Sequence, residues 1–81
     1  MRLSVVIPER EIFSGEVLEV ILPGASGGLG VLPHHAALLT TLKAGPLRYK
    51  TATGETAIEL LGGFAEVTPS SVQVLADGVK E

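Results

Sequence analysis

The stretch that decides the fold lies in the last third of the sequence, at residues 56–77, and reads TAIELLGGFAEVTPSSVQVLAD. Both of its halves are rich in apolar residues, and Val72-Gln73-Val74-Leu75 begins with the apolar–polar alternation of a half-buried strand. Gly62-Gly63 interrupts the first half, which indicates a bulge or a sharp bend in a strand. Pro69-Ser70-Ser71 separates the halves and predicts a turn. The stretch therefore predicts short strands joined by turns.

The same signals recur towards the N-terminus. Further strands are predicted where β-branched and apolar residues run together or alternate with polar ones, at Arg2–Ile7, Glu16–Leu22, Val31-Leu32, Leu38–Leu42 and Leu47–Lys50. Thr53-Gly54 is expected to form a hairpin turn. Gly24–Gly30 contains four glycines and is expected to be a loop with several positive-φ positions. His35–Leu42 contains good helix formers, but it is short and flanked by strand-like sequence, so we expect a strand there.

The period of two also predicts which side chains face the core. It places Leu18, Val20 and Leu22 on one face, and it places Leu47 and Tyr49 inward. The 81 residues allow a single domain spanning 1–81, and 46% of them are hydrophobic. So apolar a chain predicts two packed sheets, or a surface that a partner covers. Turns spaced about ten residues apart are typical of a β-sandwich or barrel.

Composition excludes several function classes. The formal net charge is −3 and the six basic residues are scattered, which argues against a nucleic-acid-binding face. Cysteine is absent, so a disulfide scaffold and a thiolate metal site are excluded. Met1–Ile7 lacks the features of a signal peptide, and no apolar run approaches a membrane span. We therefore expect an intracellular protein that meets a membrane only through a partner.

Candidate chemical sites are weak. His34 and His35 are adjacent, so in an extended segment they point to opposite sides, and a structural or interface role is favoured over a metal site. No spacing pairs a nucleophile with a base, so we expect no catalysis. Neither Lys-Ser nor Lys-Thr follows the glycine-rich stretch, which argues against a phosphate loop. Lys43 and Lys50 do not sit at the tight turn that a biotin or lipoyl carrier needs. No cofactor is expected.

Four blocks of sequence carry a more specific signal. They are Pro8-Glu9-Arg10 with Phe13–Val17; Leu22-Pro23-Gly24 with Gly27, Leu29–Pro33, His35-Ala36, Leu38–Thr40, Leu42-Lys43 and Gly45; Gly62–Val67; and Val72–Asp77. In this order and at this spacing, they resemble the N-terminal domain of the epsilon subunit of F-type ATP synthases, called delta in mitochondria. The resemblance covers nearly the whole chain.

The resemblance implies an all-β fold, a small flattened β-sandwich of about ten strands in two sheets. It also implies a non-catalytic rotor subunit in the central stalk, which links the gamma subunit to the membrane ring of c subunits and couples ion-driven rotation to ATP synthesis. We expect a peripheral location on the inner face of an energy-transducing membrane, here a bacterial cell membrane. The alternative is a stand-alone β-sandwich adaptor or binding module.

Carried over residue by residue, the resemblance implies two contact patches. The c-ring patch is Gly27, Gly28 and Leu29, and the gamma patch is His35, Ala36 and Leu38. The family often has an acidic residue at the position of Gly28, so an ion pair from this side chain is impossible here. Glycine is common at the position of His34, where we expect a negative φ.

The chain also differs from typical family members in length. Those continue past Ala76-Asp77 into a pair of helices that can inhibit ATP hydrolysis, whereas this sequence ends at Glu81. We therefore expect no C-terminal helical domain, and coupling without inhibition by helix extension.

Overall fold

The computed structural model describes residues 1–80, and the regular elements in this range are all strands. They are β1 (Arg2–Val6), β2 (Glu11–Glu16), β3 (Glu19–Gly24), β4 (Gly27–Val31), β5 (Leu38–Thr51), β6 (Gly54–Thr68) and β7 (Ser71–Ala76). They form one sheet in the order β2-β1-β7-β6-β5-β3-β4. β1 and β7 run parallel, and all other neighbours are antiparallel. The all-β prediction is confirmed, with seven strands in one sheet rather than about ten in two.

Two long strands explain how one sheet makes a sandwich. β5 has 14 residues and β6 has 15. The domain measures only 27 × 27 × 19 Å, whereas a straight strand of this length would extend about 44 Å. Both strands must therefore bend, and the bends fold the sheet over its own apolar face. At each bend the sequence pattern indicates two separate strands, whereas the structure contains one continuous strand. The number of strands is therefore lower than expected.

The bends lie at glycines and at a break in register. Gly62 and Gly63, in the middle of β6, have φ values of +106° and +144°, which agrees with the predicted bend. On β5, Arg48 lies opposite Ile21 of β3. Three residues further along β3, Gly24 lies opposite Leu42, six residues back along β5. The extra residues of β5 form a bulge, and bulges increase local bending and twist.

The core is wholly apolar among residues 1–80, where no polar or charged side chain is buried. Leu47 and Tyr49 face inward as predicted, and the Tyr49 ring stacks on Phe13 with centroids 4.4 Å apart. Burial of these aliphatic side chains is the main favourable term in folding. The buried set is Leu3, Val5, Ile7, Val17, Val20, Leu22, Val31, Leu42, Leu47, Tyr49, Leu60, Ala65, Val67, Val72, Val74 and Ala76.

One strand was missed and two local predictions were wrong. The missed strand is β2, which contains Ser14-Gly15. Leu18 is 56% exposed, because it lies in the bend between β2 and β3, where the alternation of β3 does not extend. The hairpin turn between β5 and β6 is Ala52-Thr53, one residue earlier than expected.

Within residues 1–80 the structure contains no helix with the length and hydrophobicity to cross a bilayer.

Candidate interaction surface

The residues of the two predicted patches lie in β4 and in the segment that leads from β4 into the start of β5. Gly27, Gly28 and Leu29 belong to β4, the last strand of the sheet order. His35 and Ala36 belong to the connection of residues 32–37, and Leu38 is the first residue of β5. Five residues of sequence separate the two patches, and Leu38 lies beside Gly27, Gly28 and Leu29 in space.

The β3–β4 hairpin shows that the glycine-rich stretch is a strand rather than the expected loop. Its turn is Ala25-Ser26, and Gly27 is the one residue of Gly24–Gly30 with a positive φ, not one of several as predicted. Gly24 is buried, and a Cβ there would lie 2.7 Å from the Gly27 carbonyl oxygen. The amide of Ala25 donates to the Thr41 carbonyl at 3.0 Å and ties the turn to β5. Pairing with β3 overrides the low strand propensity of glycine.

The connection between β4 and β5 is held by backbone hydrogen bonds. His34 has a φ of +70°, so the expectation of a negative φ was wrong. Its amide donates to the Pro69 carbonyl at 2.7 Å, which anchors the connection to the β6–β7 turn and holds the residue in the left-handed region. The His35 amide donates to the Leu32 carbonyl at 3.2 Å. His35 Nδ1 lies 2.8 Å from the Ala36 carbonyl, so this ring nitrogen carries the proton.

One surface groove joins the two patches. It has a volume of about 280 Å³ and is lined by Gly24, Ser26, Gly27, Gly28, Leu29, Leu38 and Thr40. The structure thus brings the whole predicted c-ring patch together with Leu38 of the gamma patch, whereas His35 and Ala36 do not line the groove. Leu29 and Leu38 are half-buried and pack against the core. The groove is open to solvent and mostly apolar, with Ser26 and Thr40 supplying hydroxyl groups.

The residues that line this groove carry no permanently charged side chain. No Asp, Glu, Lys or Arg occurs between Val20 and Leu42, a stretch that includes every residue lining the groove. The groove therefore offers apolar contact, the hydroxyl groups of Ser26 and Thr40 and backbone hydrogen bonds, while Glu66 lines the adjacent groove beside Leu38 and Leu39. Within residues 1–80, no group of three or more His, Cys, Asp or Glu could hold a metal ion.

A second exposed surface was missed by the sequence analysis. Leu39, Phe64 and Leu75 are 61%, 40% and 50% exposed, and Phe64 pairs with Leu75 across β6 and β7. Leu75 also pairs with half-buried Val6 of β1, so an apolar row crosses three strands on the outer face. A groove of about 270 Å³ beside Leu38 and Leu39 is also lined by Glu66, which lines a second groove together with Phe64 and Leu75. One sequence feature could have revealed this surface. It is an apolar residue, such as Leu75, at a position where the alternation of the strand predicts an outward-facing side chain.

Comparison with known proteins places the chain in a family. Residues 1–81 match the family described as "ATP synthase, Delta/Epsilon chain, beta-sandwich domain". The chain is 44% identical over 81 residues to the chloroplastic ATP synthase epsilon chain of Cyanidioschyzon merolae, covering 100% of this chain and 62% of the relative. It is 46% identical over 80 residues to the ATP synthase epsilon chain of Dehalococcoides mccartyi, covering 99% and 57%. The chain therefore spans about three-fifths of the length of these relatives.

Solved structures share the fold at lower identity. A chain of the Euglena gracilis mitochondrial ATP synthase superposes with a TM-score of 0.88 at 23% identity, over 96% of this chain and 51% of the other. A chain of the Tetrahymena thermophila mitochondrial ATP synthase, in a structure of its central stalk and c-ring, superposes with a TM-score of 0.83 at 14% identity, over 100% and 66%. From the full-length family match and these relatives, the chain belongs to the family of ATP synthase delta/epsilon chains and corresponds to their β-sandwich domain.

Proposed function

We propose that this chain serves as the sandwich domain of a non-catalytic rotor subunit in the central stalk of an ATP synthase. In this role it holds the gamma subunit to the ring of c subunits, so that ring rotation becomes torque on the catalytic head. The observation that carries the proposal is the family match over residues 1–81, together with relatives that are named ATP synthase epsilon chains. The coupling ion would be a proton or sodium ion, and the complex would lie on the inner face of a bacterial cell membrane.

The surface chemistry supports this assignment. A rotor connector needs two contact surfaces and no reaction centre. One edge offers the uncharged groove beside Gly27, Gly28 and Leu29, which we assign to the c-ring. The adjacent connection carries exposed Ala36, which with His35 and Leu38 we assign to gamma. The exposed apolar row beside Leu39 continues from the gamma patch and would gain stability from being covered.

A binding experiment tests the proposal. Purified protein is mixed with detergent-solubilised c-ring and with gamma from the same organism, and recovery of the complex is measured by affinity capture. We expect both partners to be recovered with this chain. Recovery of neither partner would refute the rotor assignment and favour the stand-alone adaptor module.

A matched pair of charge substitutions tests the gamma patch. Ala36→Asp adds a charge to an exposed residue of the patch, and Ala52→Asp adds the same charge to an exposed residue of the β5–β6 turn. Burying an unpaired carboxylate at an interface is strongly unfavourable, so Ala36→Asp should weaken gamma binding at least tenfold while Ala52→Asp does not. Equal affinities for the two variants would refute the patch assignment.

We further propose that residues 1–81 couple without inhibiting. Added to catalytic head that lacks epsilon, the chain should leave the rate of ATP hydrolysis unchanged. Strong inhibition by these residues alone would contradict the proposal.

A further inference from the structure

The segment of residues 77–80, which follows β7, runs beside the first half of β6 and begins with the pair Asp77-Gly78. The Asp77 amide donates to the Gly62 carbonyl at 2.9 Å, and the Gly78 carbonyl accepts from the Leu61 amide at 3.0 Å. The Gly78 amide, between these two bonds, donates to no acceptor within residues 1–80. Most backbone N–H groups of folded proteins are paired. The Gly78 nitrogen is an exception, and it is open to water or to a neighbouring group.

The Asp77 carboxylate beside this nitrogen is also unpaired. Asp77 is exposed, and in the part of the chain that the structure describes its carboxylate has neither a hydrogen bond nor an ion pair. Glycine has no Cβ, so no side chain of residue 78 shields the nitrogen from the Asp77 carboxylate. Both residues line a surface groove of about 420 Å³, through which water reaches them. The structure therefore leaves two groups that can react with each other adjacent and unblocked.

The reaction available to these two groups is the formation of a succinimide ring. The Gly78 nitrogen attacks the side-chain carboxyl carbon of Asp77, a C–N bond forms, and a carboxyl oxygen leaves as water with the amide hydrogen. A water molecule then opens the five-membered ring at one of its two carbonyl groups. Opening at the side-chain carbonyl restores aspartate, whereas opening at the main-chain carbonyl gives isoaspartate, whose main chain runs through the former side chain. The water lost in the first step is regained in the second, so no other reactant is needed.

An isoaspartyl link would disturb the pairing of residues 77–80 with β6. It adds one main-chain carbon before Gly78, which lengthens the chain there by up to about 1.5 Å. The Lys80 amide donates to the Glu59 carbonyl at 2.9 Å, and half-buried Val79 packs against the core. Hydrogen bonds weaken steeply outside a narrow range of distance and angle. The longer chain therefore cannot keep these contacts and the earlier bonds to β6 at the same time.

We propose that Asp77-Gly78 is a modification site where the chain forms isoaspartate, and that this isomerisation releases residues 77–80 from β6. Asp77 is the only aspartate in the sequence, and asparagine is absent. Isoaspartate arises from these two residue types, so all isoaspartate found in this chain comes from one position. Its product is a substrate for the class of methyltransferase that esterifies isoaspartyl carboxylates. The proposal is independent of the rotor assignment.

Incubation of the folded protein at physiological temperature and pH tests the modification. Isoaspartate is measured by transfer of a labelled methyl group by an isoaspartate-specific methyltransferase, and it is located by mass spectrometry of the tryptic peptide. The reference is a synthetic peptide of residues 74–80. The control is Asp77→Glu, which keeps the charge but would have to form a six-membered ring. We expect a rate within about tenfold of the peptide's, because segments held by few hydrogen bonds open locally at low cost, and no signal from Asp77→Glu. Protein that keeps its normal linkage while the peptide converts would overturn the proposal.

Amide hydrogen exchange at Leu61 tests the release from β6. The Leu61 amide loses its acceptor, the Gly78 carbonyl, if the segment detaches. Its exchange should therefore be at least about tenfold faster in the isoaspartyl form than in the unconverted protein, while the amides of β7 do not change. Equal Leu61 rates in the two forms would overturn the release. Asp77→Glu, incubated for the same time and shown to be folded by circular dichroism, should keep the Leu61 rate of fresh protein. Faster exchange in this variant after incubation would assign the change to ageing elsewhere and would also overturn the release.

Discussion

Replacing Gly63 with alanine should destabilise the domain far more than the same change at Gly54. The two glycines have nearly equal φ values, +144° and +148°. Both substitutions therefore place an L-residue in a region that costs about 1–3 kcal/mol. They differ in the space around the new Cβ. At Gly63 it would collide with the Leu75 carbonyl oxygen and lie 2.7 Å from Ala76 Cα, whereas at Gly54 it meets nothing within 4 Å.

The steric difference sets the expected magnitude. The clashing atoms are backbone atoms of β7, so no side-chain rotation can relieve the contact, and overpacking of this kind costs about 1–3 kcal/mol. Added to the strain, the total for Gly63→Ala is about 2–6 kcal/mol. A domain of this size has a free energy of unfolding of about 4–12 kcal/mol. The substitution should therefore remove a large part of the stability or abolish folding.

Urea denaturation followed by far-UV circular dichroism measures the difference between the two variants. Single cooperative transitions with an unchanged m-value allow the free energies of unfolding to be compared directly. We expect Gly63→Ala to be at least 1 kcal/mol less stable than Gly54→Ala, the lower limit of the overpacking cost. Equal stabilities would show that β7 moves away from β6 without cost, and would refute the argument that close strand contact at the bend requires glycine.

Further predictions concern strain, the core and the c-ring edge. His34→Gly should raise the free energy of unfolding by about 0.5–1 kcal/mol, because relief of the left-handed φ outweighs the added flexibility of glycine in the unfolded chain. A loss of stability would contradict the strained conformation of His34. Leu47→Ala should lower the melting temperature strongly, with a cost of about 2–5 kcal/mol, whereas Leu39→Ala, at a 61% exposed residue, should change stability by less than about 0.5 kcal/mol. Gly28→Glu introduces the acid that is common in the family. It should change the free energy of unfolding by less than about 0.5 kcal/mol, because a Cβ at this position meets open space. Strong destabilisation in thermal denaturation would show that the edge is not free.

The class of fold could be predicted from local patterns. β1 and β7 appear where β-branched and alternating residues predict them, and Leu47 and Tyr49 point inward as the period of two requires. Strand β2 was missed because Ser14-Gly15 has the composition of a turn. It is a strand because β1 pairs with it over its whole length, and local propensity cannot report such pairing.

The candidate surface was predicted only in part. The residues of the c-ring and gamma patches were named by resemblance to the family, and the structure brings four of the six together along one groove. The position of Gly28 and Gly30 in an edge strand could not be predicted, because the neighbours of a strand depend on pairing with distant segments. The left-handed φ of His34 could not be predicted either, because it depends on a hydrogen bond to Pro69, 35 residues away in sequence.

The sequence by itself determined the all-β class and part of the apolar core, because these depend on residue type and short-range periodicity. Its ordered motifs also determined the family, which the full-length match confirms. The tertiary structure alone decided that one sheet bends over itself through β5 and β6, and that β4 is an edge strand. These features arise from pairing between distant segments, whose register and neighbours are set by the burial of a shared core rather than by any single segment.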